Sequence, residues 1–467
     1  MLTRLKVKGF KSLEDIEVRF GPFTCVAGVN GVGKSNLFDA IMFLRDLAEH
    51  SIIDAATRIR NTERRRINLA ALFTQTSAGY APMMEFDVDF LVNDSVVDDF
   101  GREARPKVTF LQYRLGLRYV APSATRPEGI ELAYEMLDFV PKGDARKRLG
   151  FPVSKEFFDS VYKGSSKSDF IYMDKMNTTI AKVRQDGGSS GQPISIPIDR
   201  AERTILSNIN AIDRPTALAA RREMQSWRNL QLESSSLRKP DDFSAPGRVS
   251  STGEHLPATL DRLKQFDVVA AQLANLLPDI KSLSVDIDAS RELKTLYLES
   301  VSGIRHEARA LSDGTLRFLA LAIIGADPDA GGVICLEEPE NGIHPARIPA
   351  IVELLDGMAV DPDYAIGSDN PLRQIIINTH SPLVIQKLQT ENIIVSQSYR
   401  NAGASLSLFC PILGTWRTKN PLQGADDSVT FQALLDYINA EDKSTAAPGK
   451  ESVAQLFHQL EIDCRAD

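Results

Sequence analysis

Residues 2–7 alternate apolar and charged positions, and residues 16–20 alternate again, which predicts two short strands joined by the turn GFKSL. Phe23-Thr24-Cys25-Val26-Ala27 replaces that alternation with a nearly continuous apolar run, the pattern of a buried strand. Apolar residues at Leu37, Ile41, Phe43, Leu44 and Leu47 then keep helical spacing. Three β-rich runs follow, MMEFDVDFLV, VTFLQYRLGLRYV and GIELAYEMLDFV, with turn residues between them, so an antiparallel meander is predicted. IAKVRQ and PISIPI flank DGGSSGQ and read as a hairpin with a long loop. The pattern turns helical over 201–231, becomes an irregular linker over 241–254, and turns helical again over 261–280, halted at Pro278. LSVDIDA and LKTLYLES return to strand. Towards the end, ENIIVSQ reads as the final core strand, AEDKSTAAPGKES as a polar linker and VAQLFHQLEI as a short terminal helix.

Composition narrows the class. The chain has 467 residues, 25% charged and 43% hydrophobic, which is ordinary for a globular protein with a real core. A net charge of -8 argues against nucleic acid wrapping the whole surface, though local basic patches stay open. Cys25, Cys335, Cys410 and Cys464 contain no CxxC pair, so neither a zinc site nor a disulfide framework is indicated. The opening MLTRLKVKGF is strand-like and not a signal peptide. The longest apolar run, 318–326, falls far short of the roughly 20 residues of a spanning helix. A soluble, cytoplasmic protein without a membrane partner is expected.

Chemistry concentrates at strand ends. The buried strand at 23–27 feeds GVNGVGKSN and then a helix, the context a phosphate-binding loop requires. Glycines let successive backbone N–H groups turn inward around phosphate oxygens, and the helix N-terminus adds partial positive charge. Asn30, Gly31, Gly33, Lys34, Ser35 and Asn36 are therefore the candidate nucleotide contacts. Lys34 would reach the β- and γ-phosphates, and Ser35 would hold Mg²⁺. Three hundred residues later, the apolar run 331–336 leads directly into Glu337, Glu338 and, after Pro339, Glu340. Unpaired buried carboxylates are costly, so a counter-charge is demanded. Glu337 would face the metal, and Glu338 would orient and deprotonate water as catalytic base. Adjacent strand residues point to opposite sides, so Glu338 is expected where the strand has ended and turned. Ahead of these, LSDGT opens a helix and makes Ser312 and its neighbouring amides a second anion site. A buried run at 374–377 ends in Asn378-Thr379-His380-Ser381-Pro382.

Taken in order, these four segments resemble the ATP-binding-cassette class of ATPases. LSDGT is similar to its signature motif, ICLEEPE to its Walker B strand and NTHSP to its switch histidine. LKVKGFKSL, GVNGVGKSNLFDAI and EEPENGIHP resemble bacterial AAA family ATPases related to the SMC, RecF and OLD groups, over roughly residues 1–50 and 295–400. STGEHLPATLDRL at 251–263 is a weaker match of the same kind. The resemblance implies an α/β fold, a P-loop NTPase of ABC-ATPase type with a mixed sheet and flanking helices, an antiparallel β subdomain and a helical insertion. It implies two chains sandwiching two Mg-ATP, Ser312 and Gly314 acting in trans on the γ-phosphate, and His380 as a catalytic residue in cis, beside Lys34 and Glu338. Lys11, after the first strand, would also approach the nucleotide. NGIHP stands where a dimer-contacting loop is expected, with His344 in place of its usual aspartate, and Glu337 stands where Walker B normally has aspartate. No glutamine-loop motif stands out; Gln75 in LFTQTSAG lies at the expected place, but a lone glutamine in a polar loop is more often just that.

The expected organisation is an N-terminal half-core at 1–75, a β subdomain at 76–150, a mostly helical insertion with a hairpin at 151–285, the second half-core at 286–400 and an extension at 401–467. No heptad run long enough for a coiled coil interrupts it. Arg64-Arg65-Arg66, Lys142 with Arg146-Lys147-Arg148, and Arg221-Arg222 with Arg228 are candidate polyanion surfaces, with Trp227 available to stack on a base. DNA is thus a candidate partner. OLD-family nucleases carry a metal-dependent nuclease domain after a similar ATPase, for which little room remains here, so any nuclease is expected as a separate effector. The favoured function is an ATP-driven homodimeric or higher-order switch in a DNA-related process, in repair or in anti-phage defence. An ATP-bound scaffold with little turnover and a transporter ATPase subunit remain as alternatives; the long β-rich insertion counts against the second.

Overall fold

Every position of the strand Phe23–Ala27 is buried, and so is every position of Arg373–Thr379, as the continuous apolar runs require. These strands belong to a computed structural model that describes residues 1–59, 68–77, 79–124, 126–187, 191–276, 279–401, 403–419 and 428–444. The fold is an α/β P-loop ATPase fold with mixed sheets, and its described residues divide into two compact units.

One unit, here the phosphate-loop unit, comprises residues 2–152, 162–225 and 378–467. It holds an eight-stranded antiparallel sheet in the order Ile194–Pro197, Ile180–Val183, Ile171–Met173, Gly129–Phe139, Phe110–Val120, Met83–Leu91, Leu2–Phe10, Leu13–Arg19. The register follows the alternation: Val7 opposes Ile16 on one side and Phe86 on the other. The helix Lys34–Leu47 is fastened to this sheet by Phe43, which packs on Phe10 and Phe86 at centroid distances of 5.7 and 5.9 Å. Burying each such ring stabilises by roughly 2 kcal/mol. Phe23–Ala27 pairs in parallel with Ile393–Asn401, Cys25 opposite Ile393.

The other, the carboxylate unit, comprises Met1 and residues 153–161 and 226–377. Arg228–Leu230 pairs in parallel with Gly332–Glu337, whose other neighbour is Arg373–Thr379. The helices Asp313–Ala326 and Ile348–Met358 accompany these strands. A separate antiparallel sheet joins Ile280–Asp288, Leu293–Ser300 and Arg305–Glu307.

Several expectations need correction. The helix read over 201–231 is only Pro215–Ser226, because the next residues are drawn into the strand Arg228–Leu230 beside Gly332–Glu337. The helix read over 261–280 lies partly in each of two, Leu256–Leu263 and Phe266–Leu276, interrupted where Lys264 adopts φ 55°. ENIIVSQ is not the last strand, since Ala404–Pro411 returns antiparallel to it. The helix Phe431–Ser444 extends into the expected linker, and VAQLFHQLEI lies outside the described residues. Trp227 is fully buried and therefore cannot stack on a base. Arg228 is mostly buried beside it, Arg221 donates to the Ala48 and Ile209 carbonyls, and Arg222 is ion-paired with Asp99. Arg64-Arg65-Arg66 lies outside the described residues, while Lys142, Arg146 and Lys147 are exposed on one short helix.

Among the described residues no helix is long and apolar enough to cross a membrane. The buried Arg373 ties the carboxylate unit together. It is 1% exposed and donates to Gly325 O, Asp327 O and Ala330 O at 2.9, 2.7 and 2.7 Å. Burial pushes its pKa down to about 10, assisted by Arg228, so it stays charged at neutral pH. Replacing it with Met leaves three carbonyls without their donor, and Arg373→Met is expected to cost on the order of 3 kcal/mol in urea unfolding. A loss below about 1 kcal/mol would show that water replaces the guanidinium.

Candidate functional site

The phosphate loop begins at Gly28, where a Cβ would lie 2.4 Å from Ser396 O. Gly31 and Gly33 adopt φ 83° and 94°. A Cβ on Gly33 would meet Ser407 Oγ at 1.8 Å, whereas one on Gly31 would meet nothing within 4 Å. Glycine is thus fixed at 33 by packing and at 31 by backbone conformation alone. Lys34 is buried at the first turn of the helix, and its Nζ donates to Gly28 O and Val29 O, both at 2.6 Å. Asn36 Nδ2 donates to Ser12 Oγ at 2.7 Å, and Ser12 Oγ lies 2.6 Å from Ser407 Oγ. Lys11, at φ 49°, forms an ion pair of 2.8 Å with Asp39. Lys11 and Gln75 line one cavity of about 360 Å³ with Phe73 and Tyr80. The loop is tied to the switch segment, because Gly28 N donates to Thr379 O at 3.1 Å, one residue before His380.

In the carboxylate unit the strand Gly332–Glu337 ends as the apolar run foretells, and Glu338 stands at φ 47°. A non-glycine residue there costs roughly 1–3 kcal/mol, a strain that accumulates at functional sites. Asn341 holds it, Nδ2 donating to Glu338 Oε2 at 2.7 Å and the backbone N to Glu338 O at 3.0 Å. Glu337 and Glu338 line a cavity of about 240 Å³ with Gln231, Glu233, Arg317 and Asn341. His344 Nδ1 accepts from Ala346 N at 3.2 Å, so it caps the turn Pro345–Arg347. Ser312 is the N-cap of the helix Asp313–Ala326 and accepts from Thr315 N at 3.2 Å.

Residues 140–386, more than half of the chain, match the family described as "AAA domain, putative AbiEii toxin, Type IV TA system", and residues 1–188 match "AAA ATPase domain". The chain belongs to the AAA-domain family. Forty-one residues are 51% identical to the OLD nuclease of Thermus scotoductus, covering 9% of this chain and 8% of that protein. The SMC head of the structure with the C-terminal winged-helix domain of ScpA is 15% identical, with a TM-score of 0.49 over 88% of this chain and 98% of that one. The SMC head domain of Thermotoga maritima is 14% identical over the same shares, with a TM-score of 0.40.

In this AAA ATPase the expected site residues fall into two sets. Asn30, Gly31, Gly33, Lys34, Ser35, Asn36 and His380 lie in the phosphate-loop unit; Glu337, Glu338, Ser312 and Gly314 lie in the carboxylate unit. Gln231 was not anticipated. It directly follows the strand Arg228–Leu230 and lines the cavity of Glu337 and Glu338, whereas Gln75 lies with Lys11. A three-residue strand carries too little periodicity to announce itself. The donor set suits a magnesium nucleotide: the lysine and serine at 34 and 35 in the first turn of the helix, and open space over Gly31. Among the described residues no group of three or more His, Cys, Asp or Glu could hold a metal. Gly31→Ala is expected to cost about 1–2 kcal/mol of unfolding free energy, and Gly33→Ala clearly more, because only the second adds a clash. Equal losses in denaturant unfolding would contradict the distinction.

Proposed function

We propose that this AAA ATPase hydrolyses Mg-ATP and works as a homodimeric switch, closed with nucleotide bound and opened by hydrolysis. The observation that carries the reading is the Gly28 N to Thr379 O bond, which ties the first residue of the phosphate loop to the segment presenting His380. It favours His380 as a γ-phosphate contact in cis.

Lys34, now on two loop carbonyls, would exchange them for β- and γ-phosphate oxygens, a stronger charge-assisted pairing. Ser35 and Glu337 would hold Mg²⁺, which neutralises developing charge on the phosphates. The Glu337 side chain is longer by a methylene than that of the usual aspartate, and reach through water suits it. Glu338, held by Asn341, would orient the attacking water and take its proton. The cavity of Lys11, Gln75 and Tyr80 offers a wall for the base end of the nucleotide, since Ser12 beside it is bonded to Asn36.

Gly314 supports a trans role for the signature turn. Its φ is not left-handed, and a Cβ there would find only ordinary contacts, to Gly342 O at 3.5 Å and Ile343 Cδ1 at 3.6 Å. Among the described residues neither conformation nor packing requires glycine there, which leaves the turn open to close approach from a second copy. Ser312 and Gly314 are accordingly assigned to the γ-phosphate of a second copy. A role in DNA repair or anti-phage defence beside a separate nuclease draws its support from family resemblance and the short OLD nuclease match. For DNA contact, Lys142, Arg146 and Lys147 are the exposed basic residues available.

Glu338→Gln is expected to lower steady-state ATP turnover by about 10²–10³-fold while leaving ATP affinity within about threefold. Light scattering of that variant should show its mass doubling on Mg-ATP, and Ser312→Arg added to it should abolish the doubling. A mass that ignores nucleotide, with assembly intact, would instead favour the standing scaffold.

A further inference from the structure

The signature turn is bracketed by one guanidinium. Arg238 Nη2 donates to Leu311 O at 3.0 Å and to Asp313 Oδ1 at 2.5 Å, the residues on either side of Ser312, while Nη1 donates to Ser234 O at 3.0 Å. Arg238 and Asp313 both lie in the carboxylate unit. Their side chains are 30% and 50% exposed, so as a bare ion pair the contact would add little stability. Its geometry is more telling than its energy. A planar fork that grips one carbonyl and one carboxylate fixes the backbone between them, and Ser312 is all that lies between.

Charge gives a second reason. Asp313 is the first residue of the helix Asp313–Ala326, where amide N–H groups and the helix dipole would otherwise attract an anion. A carboxylate in that place competes for the same amides and repels phosphate. Arg238 and the Ser234 hydroxyl hold the Asp313 carboxyl below its ordinary range, and Arg317 adds to the effect, so it is ionised and its charge must be balanced. Arg238 is also mechanically linked to the cavity of Glu337 and Glu338. Glu233 lines that cavity, and its carbonyl accepts from Ser236 N and Leu237 N at 2.9 and 3.0 Å, closing the single helical turn that ends at Arg238.

We propose that Arg238 is the positioning residue of the signature turn: it brackets Ser312 through Leu311 and Asp313 and cancels the Asp313 charge, so that the turn can receive the terminal phosphate of ATP held by a second copy. This rests on the trans role of Ser312 proposed above. Arg238 touches no phosphate of its own chain in this assignment, so ATP binding and ATP-driven assembly separate in its variants.

The test uses the full chain carrying Glu338→Gln, with ATP affinity measured by a fluorescent ATP analogue and assembly by light scattering across a protein dilution series. Arg238→Gln is expected to leave analogue affinity within about threefold and to weaken ATP-dependent doubling of mass by about tenfold or more, the loss of a charge-assisted contact. Asp313→Asn added to Arg238→Gln should recover a large part of that loss, because the uncancelled carboxylate is then gone. A structural role alone would give no such recovery. Arg238→Lys, which keeps the charge and loses the fork, should fall between, and it decides the matter where Arg238→Gln does not fold. Assembly of a folded Arg238→Gln indistinguishable from its parent overturns the proposal, as does an equal loss of analogue affinity. Failure of the Glu338→Gln parent itself to double with Mg-ATP overturns the trans reading beneath it, and a doubling parent with an indifferent Arg238 overturns only the positioning role.

Discussion

A single buried guanidinium sets the origin of the carboxylate unit. Arg373 binds Gly325 O and Asp327 O at the end of the signature helix and Ala330 O at the entry to the strand Gly332–Glu337, while itself starting the strand Arg373–Thr379. Three elements are therefore fixed at one end. Within the carboxylate unit the other ends of the helix and of the first strand carry Ser312 and Glu337 with Glu338. A 14-residue helix holds its far end about 20 Å away, and a six-residue strand does much the same. A positive charge at a helix C-terminus also meets the negative end of the dipole, which favours its burial there. Asp327 reinforces the corner through an ion pair of 2.6 Å with Arg262, in the STGEHLPATLDRL segment.

Glycine positions separate constraints of folding from constraints of chemistry. Gly28 and Gly33 admit no side chain because Ser396 and Ser407 already occupy the space. Gly31 is required by φ alone, and Gly314 by neither φ nor packing. A residue that the fold does not require to be glycine is the one whose identity speaks about something outside the fold. Glu338 makes the converse case: a non-glycine residue stands at φ 47°, held by Asn341, which binds both its carbonyl and its Oε2.

Much of this was legible in the sequence. Continuous apolar runs ending in glycine-lysine-serine, in paired glutamates and in a histidine identify buried strands, and the β-rich runs give the antiparallel meander. Order along the chain, more than any one motif, points to the ATPase class. What stayed hidden was set by long-range pairing. Arg228–Leu230 is strand only because Gly332–Glu337 lies alongside, so neither the burial of Trp227 nor the placing of Gln231 could be read locally. Arg221 and Arg228 looked like surface charge, since nothing in a sequence says which carbonyls await a guanidinium. The return strand Ala404–Pro411 was missed, although its Ser407 fixes the glycine at 33.

The glutamates raise the question of a counter-charge, and within their own unit Arg317 is the cation that lines their cavity. Its Nε is buried without a hydrogen-bond partner. A buried donor left unmatched is costly, so the arrangement persists only if something else requires it. Arg317 lies on the signature helix and its charge also acts on Asp313, so the same residue senses the carboxylate cavity and the signature turn. Any change of charge at Glu337 and Glu338 must alter the field at Arg317, and any shift of the helix must move Arg317 relative to them. The strand end that carries Glu337 and Glu338 and the first turn of the helix Asp313–Ala326 thus share one charged side chain, Arg317.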